Sequence, residues 1–162
     1  MAAHRNRQLL NAGSRAPGFR LARLGGGEAG LGGLISAGPV LLAFFKITCP
    51  VCQLTLPFLD RLHAPGTLAV YGISQNGPED TEEFARDYGL RFPMLLDTEE
   101  SGFPASNAYG ISAVPSMFLV ETDGVVSRVM EGWSRREIEW LGARIGIAAI
   151  PPGERVPDWK AG

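Results

Sequence analysis

The chain of 162 residues is short of cysteine and histidine, has no long hydrophobic run and carries almost no net charge. Each shortage excludes something. Two cysteines cannot staple a secreted mini-domain, which needs several bridges. Nor can they complete a four-ligand zinc site, because His4 and His63 lie far from Cys49 and Cys52. The most apolar run, Val40 to Phe45, is far too short to span a bilayer, so no membrane partner is expected. The start, Met1-Ala2-Ala3-His4-Arg5-Asn6-Arg7, is basic but is not followed by the apolar stretch of a secretory signal. A cytoplasmic protein is therefore expected. With 15 basic and 17 acidic residues the formal charge is −2, which leaves no field to gather nucleic acid.

What is present describes one globular domain. Hydrophobic residues make up 45% of the chain and charged residues 20%, and this length suffices to bury roughly 70% of the unfolded surface. Residues 1–15 read as an irregular arm, 16–149 as the folded domain and 150–162 as a polar tail interrupted by Trp159. Phe19, Leu21 and Leu24, then Gly25-Gly26-Gly27, predict a hairpin whose return strand is Leu31 to Ile35. Val40 to Phe45 is apolar on both faces, the pattern of a central strand covered on both sides. Leu54, Phe58, Leu59 and Leu62 form a helical stripe with Pro57 inside it.

Leu68 to Ile73 is a second apolar strand. Asn76 is placed to cap the next helix, with Pro78 in its first turn, Phe84 and Tyr88 on its buried face and Gly89 at its end. Met94 to Leu96 is a short strand, and residues 101–109 a short helix. Ser116 to Val120 and Val125 to Met130 form a hairpin about Thr122-Asp123-Gly124. Ser134 and Glu137 suggest a capping box before a helix with Ile138, Leu141 and Ile145 in its core stripe, stopped by Pro151-Pro152-Gly153. Alternating βαβ units with a closing hairpin imply an α/β fold with a central mixed β-sheet flanked by helices.

Cys49-Pro50-Val51-Cys52 follows the buried strand and opens the helix. That setting makes a C-x-x-C pair a redox motif. The attacking species is a thiolate, and a helix N-terminus offers unpaired N–H groups and the positive end of a dipole. Cys49 is expected to be the exposed nucleophile. Cys52, one turn further in, is expected to resolve the mixed disulfide. Lys46, three residues before Cys49, is a candidate for lowering its pKa, although such a lysine is more often solvated. Glu79 and Glu82 read as a solvated helix face. No cofactor is implied. Copper binding by the same thiolates lacks a neighbouring His or Met.

The chain resembles the thioredoxin fold, and more narrowly the TlpA/ResA-like branch of the thioredoxin and AhpC/TSA superfamily. The likeness is carried by Ala16-Pro17-Gly18-Phe19, by Phe44-Phe45 before Cys49-Pro50-Val51-Cys52, and by Pro57. Tyr71-Gly72-Ile73-Ser74 and Phe92-Pro93-Met94-Leu95-Leu96-Asp97 resemble the extra βα segment of that branch. Ala108-Tyr109-Gly110-Ile111, Val114-Pro115-Ser116 and Asp123-Gly124 complete it, over about residues 14–147. The resemblance implies a three-layer thioredoxin-like fold with an N-terminal hairpin. It implies a cis Pro115 facing the cysteines, with the Val114 backbone available to an extended substrate, and Phe45, Thr48 and Pro115 around the sulfurs. Two positions depart from thioredoxins: Thr48 replaces the Trp before the first Cys, and Ala43 replaces a buried Asp proton relay.

The expected activity is thiol–disulfide exchange, with a protein or small-molecule disulfide as substrate and a thiol as electron donor. Oligomeric state is not legible. One rival is a peroxiredoxin-like peroxidase, weakened because Cys49 stands where the pattern P-x-x-x-T-x-x-C requires Thr. A second is a non-enzymatic redox-regulated or metal-carrying module. Trp133 and Trp140 read as core or interface residues, and His63 as a helix-end histidine without a partner.

Overall fold

A computed structural model describes residues 8–162. The core is built around β3 (Val40–Phe45), whose six residues are all buried. β3 runs parallel to β4 (Ala69–Ser74) and antiparallel to β6 (Ser116–Val120). A strand with neighbours on both sides and layers on both faces has no position that tolerates polarity, which is why its sequence does not alternate. β1 (Arg20–Arg23), β2 (Glu28–Gly30), β5 (Met94–Leu96) and β7 (Val126–Glu131) complete a seven-stranded mixed sheet in the order β2-β1-β5-β4-β3-β6-β7. The fold is α/β and thioredoxin-like.

The two phenylalanines that end β3 point to opposite faces, as successive strand residues must. Phe45 stacks on Phe84 of α3 (Pro78–Asp87), with ring centroids 5.5 Å apart. Phe44 meets Tyr109, which follows α4 (Pro104–Ala108), at 5.2 Å. Gly72 in β4 makes the first arrangement possible: a Cβ there would meet Phe92 at 2.9 Å and Phe45 at 3.0 Å. α2 (Pro50–His63) packs against α5 (Arg135–Ile145) and carries Pro57 within it.

The structure corrects several local expectations. Leu31–Ile35 is not the return strand but a helix, α1, and the return strand is Glu28–Gly30. Leu31, Leu34 and Ile35 are all buried, at helical spacing. Asn76 does not cap α3; Gly77 occupies the cap position without a side-chain bond. Tyr88 is the C-cap of that helix and is exposed. Ser134 does cap α5, accepting the Glu137 N–H at 3.3 Å. Glu137 does not reach back, because its carboxylate pairs with Arg128. Gly146, at φ 77°, ends α5 ahead of the prolines.

His63 does have a partner: its Nδ1 accepts the Val70 N–H at 3.0 Å, and burial holds its pKa below the usual value. Within the expected arm, residues 8–15 are tied to the domain, with Gly13 N–H donating to Val126 O in β7 and Leu10 N–H to Tyr109 O after α4. Residues 1–7 of that arm lie outside the described residues. The tail also folds back, pairing β9 (Trp159–Lys160) with β8 (Trp133–Ser134).

Candidate active site

β3 hands the chain over at Phe45, the four residues Lys46 to Cys49 turn it, and α2 begins at Pro50. Cys49 is the N-cap, in extended backbone conformation (φ −86°, ψ 114°). Its Sγ accepts the Cys52 N–H at 3.2 Å, the role a Ser or Asp oxygen plays at most caps. Pro50 costs nothing here, since the N–H it lacks has no intrahelical partner at the first position. The sequence therefore places one sulfur at the mouth of a helix and the other a turn behind it.

The turn is held by two side chains from different elements. Ile47 N–H donates to Asn76 Oδ1 at 3.0 Å, and Ile47 O accepts from Gln53 Nε2 at 3.0 Å. Neither residue was singled out by the sequence for this task. Asn76 reads equally well as a local helix cap, and nothing in the spacing of Gln53 shows that it points back to residue 47. A third element closes the site: the Cys49 thiol donates to Val114 O at 3.4 Å. The Val114–Pro115 peptide is cis. Cys49 is thus contacted both by its own helix and by the loop before β6.

The two sulfurs differ sharply in exposure. Both are free thiols, and the residues approach to 3.0 Å. Cys49 is half-buried, whereas Cys52 has no exposed surface. Burial pushes the Cys52 thiol well above the ordinary range, and its hydrogen bond with Cys49 adds to this. The Lys46 backbone and the Lys46 charge oppose the rise.

The other expected residues are distributed around this pair. Thr48 and Pro50 are exposed beside Cys49, and Val51 is half-buried on the first turn. Val114 and Pro115 are buried behind the sulfur. Phe45 is fully buried, with its ring on Phe84 and against Gly72. Lys46 is exposed, and its charge is felt at Cys52. Glu79 and Glu82 are exposed on α3. Ala43 is fully buried between Gly72 and Met117, with no ionisable group in either partner. Among the described residues no three His, Cys, Asp or Glu side chains cluster to hold a metal ion. No helix among the described residues is long and apolar enough to cross a membrane.

Comparison with known proteins agrees with this geometry. The AhpC/TSA family pattern matches residues 12–129. The thiol-disulfide oxidoreductase ResA of Geobacillus thermodenitrificans is 30% identical over 129 residues, covering 77% of this chain and 72% of that one. The thioredoxin domain of a thiol-disulfide oxidoreductase from Bacteroides vulgatus superposes with a TM-score of 0.72 at 19% identity, covering 86% of this chain and 99% of that one. A secreted disulfide oxidoreductase of Mycobacterium tuberculosis superposes with a TM-score of 0.64 at 21% identity, covering 78% and 95%. At those identities the two structural matches show the shared fold.

Proposed function

Since the chain belongs to the AhpC/TSA family, we propose that it is a thiol–disulfide oxidoreductase in which Cys49 attacks and Cys52 resolves. The observation that carries this reading is the asymmetry of the pair: a half-buried sulfur at the helix cap and a fully buried one on the next turn, in residues that approach to 3.0 Å. In the first step the Cys49 thiolate attacks one sulfur of a substrate disulfide. The substrate S–S bond breaks, a Cys49–substrate bond forms, and the distal substrate sulfur leaves and takes a proton. Cys52 then loses its proton and attacks Cys49 Sγ. The Cys49–Cys52 bond forms and the second substrate thiol leaves. Two electrons pass from the protein to the substrate, and an external thiol donor restores the dithiol.

The substrate class is a disulfide in a protein or small molecule. The flanking residues Lys46, Thr48, Pro50, Val51, Val114 and Pro115 form the surface it meets, and Phe45 supports them from the core. A cytoplasmic setting supplies the donor from the reducing thiol pool, whereas an oxidising compartment demands a dedicated one. The peroxidase alternative would make Cys52 the peroxide-reacting sulfur. Its full burial and raised pKa argue against that, because peroxide needs an accessible thiolate.

The decisive experiment is equilibration of the Cys49–Cys52 pair with a glutathione series, read by mass after trapping thiols. The expected result is one two-electron transition within the range of about −270 to −120 mV spanned by related couples. A protein that forms no intramolecular disulfide at any poise is not an oxidoreductase of this kind.

A further inference from the structure

The chain returns to the active site after α5. The Trp133 indole N–H donates to Pro157 O at 2.6 Å, and Arg135 N–H donates to Asp158 O at 2.9 Å. These two bonds anchor the base of the returning segment. Beyond them Lys160 pairs with Trp133, and Trp159 with Ser134. Ala161 and Gly162 then run on to the loop before β6. Gly162 lies so close to this loop that a Cβ there would come within 2.3 Å of Val114 O and 3.3 Å of Pro115 N. The same Val114 carbonyl faces the Cys49 thiol at 3.4 Å. A second glycine permits the approach: a Cβ on Gly132 would stand 2.3 Å from Lys160 O.

The tip of this segment is lightly held. Trp159 to Gly162 are all exposed, and the ladder that fixes them is two residues long. A cavity of about 410 Å³ lies beside them, bounded by Ala113, Met130, Glu131, Ser134, Trp159 and Gly162. A firm base with an exposed tip held by a two-residue ladder describes a segment that can lift without unfolding the domain.

The position matters because of what must pass through it. A substrate sulfur can bond to Cys49 only if its chain runs beside Val114. An extended polypeptide at such a place pairs its backbone with the exposed backbone of the host. Gly162 already covers that backbone. We infer that Trp159–Gly162 is a specificity-determining strap that occupies the path of an extended substrate chain. A polypeptide disulfide reaches Cys49 only after displacing it, whereas a small disulfide reaches the half-buried sulfur with the strap in place. The inference rests on the oxidoreductase reading above.

The test compares the parent protein with a variant lacking residues 159–162, using insulin as the polypeptide disulfide and hydroxyethyl disulfide as the small one. Deletion should raise kcat/KM for insulin by roughly fivefold, as expected when most molecules are closed to that substrate. The value for hydroxyethyl disulfide should change less than about twofold. Gly162→Val, whose side chain cannot lie against Val114, should reproduce the effect and covers the case of a deletion that folds poorly. A second readout uses Cys52→Ser protein trapped as a mixed disulfide. The Lys160 amide should lose protection from hydrogen exchange when Cys49 carries a cysteine-containing peptide and keep it when Cys49 carries mercaptoethanol. Equal change for both substrates, or an undisturbed Lys160 in the peptide adduct, overturns the strap. A parent protein that reduces neither substrate overturns the oxidoreductase reading, and the strap with it.

Discussion

The seven-stranded sheet and the small ribbon of β8 and β9 are built from the same interaction at very different strengths. β3 is paired along its length on both sides and buried at every residue. β9 is paired on one side over two residues, both exposed. Both nevertheless end at the same place. The sheet delivers Cys49 and Val114, and the ribbon delivers Gly162 onto Val114. The contrast separates two jobs. Burial fixes the geometry of the sulfurs, because a displaced β3 would expose apolar surface. The β9 strand of the ribbon buries too little to be fixed, so it covers the site without defining it.

The sharpest way to break this comparison is at the sulfurs, where the two regions meet. Cys49→Ser should reduce disulfide turnover to background and form no adduct. Cys52→Ser should also stop turnover but accumulate a one-to-one mixed disulfide, seen by mass. A Cys49→Ser protein that traps substrate through Cys52 would invert the assigned roles. Next in size is stability. Leu42 is fully buried in β3, and Leu42→Ala should cost about 2–5 kcal/mol in urea unfolding. Removal of residues 159–162 should cost no more than about 0.5 kcal/mol, as for exposed positions generally. Equal costs would mean that the ribbon is structural.

Smaller effects refine the picture. Burial raises the Cys52 pKa, so resolution is expected to be limited by loss of its proton. Below that pKa the rate of mixed-disulfide resolution should climb about tenfold per pH unit, following the thiolate fraction. A flat profile in rapid-quench experiments would show that another step limits. Asn76→Ala removes one of the two bonds to Ile47 and should cost about 1 kcal/mol. It should slow attack by Cys49 while leaving the Cys52 pH profile unchanged. The smallest effect concerns His63. Its folded-state pKa is depressed by burial, so its contribution is present above the ordinary value of 6.5 and is lost as pH falls through the lowered one. Stability should therefore decline on acidification less steeply in His63→Gln than in the parent.

Much of the site was legible because its signals are local. A doubly apolar strand, two cysteines one helical turn apart and a proline at the helix start all lie within Val40–Cys52. The β6–β7 hairpin was legible for the same reason, through Asp123-Gly124 between two apolar runs. The misreadings fall where a residue has two local options and a distant partner chooses. Asparagine is a favoured helix cap, but here Ile47 N–H takes the Asn76 oxygen. Leu31 to Ile35 suits either a strand or a helix turn, and the packing of Leu31, Leu34 and Ile35 selects the helix. His63 has no partner until β4 brings Val70 beside it.

By itself the sequence determined the chemistry available: two thiols, their spacing, and their place at the junction of a strand and a helix. Only the tertiary structure decided how deeply each sulfur is buried, because burial depends on what packs around Cys52 and not on its neighbours in the chain. It also decided what faces Cys49. Val114 is 65 residues away in sequence yet reaches its sulfur, and Gly162 covers that contact from further along still. Hydrogen bonds and close packing act over a few ångströms, so such encounters exist only once the chain has folded.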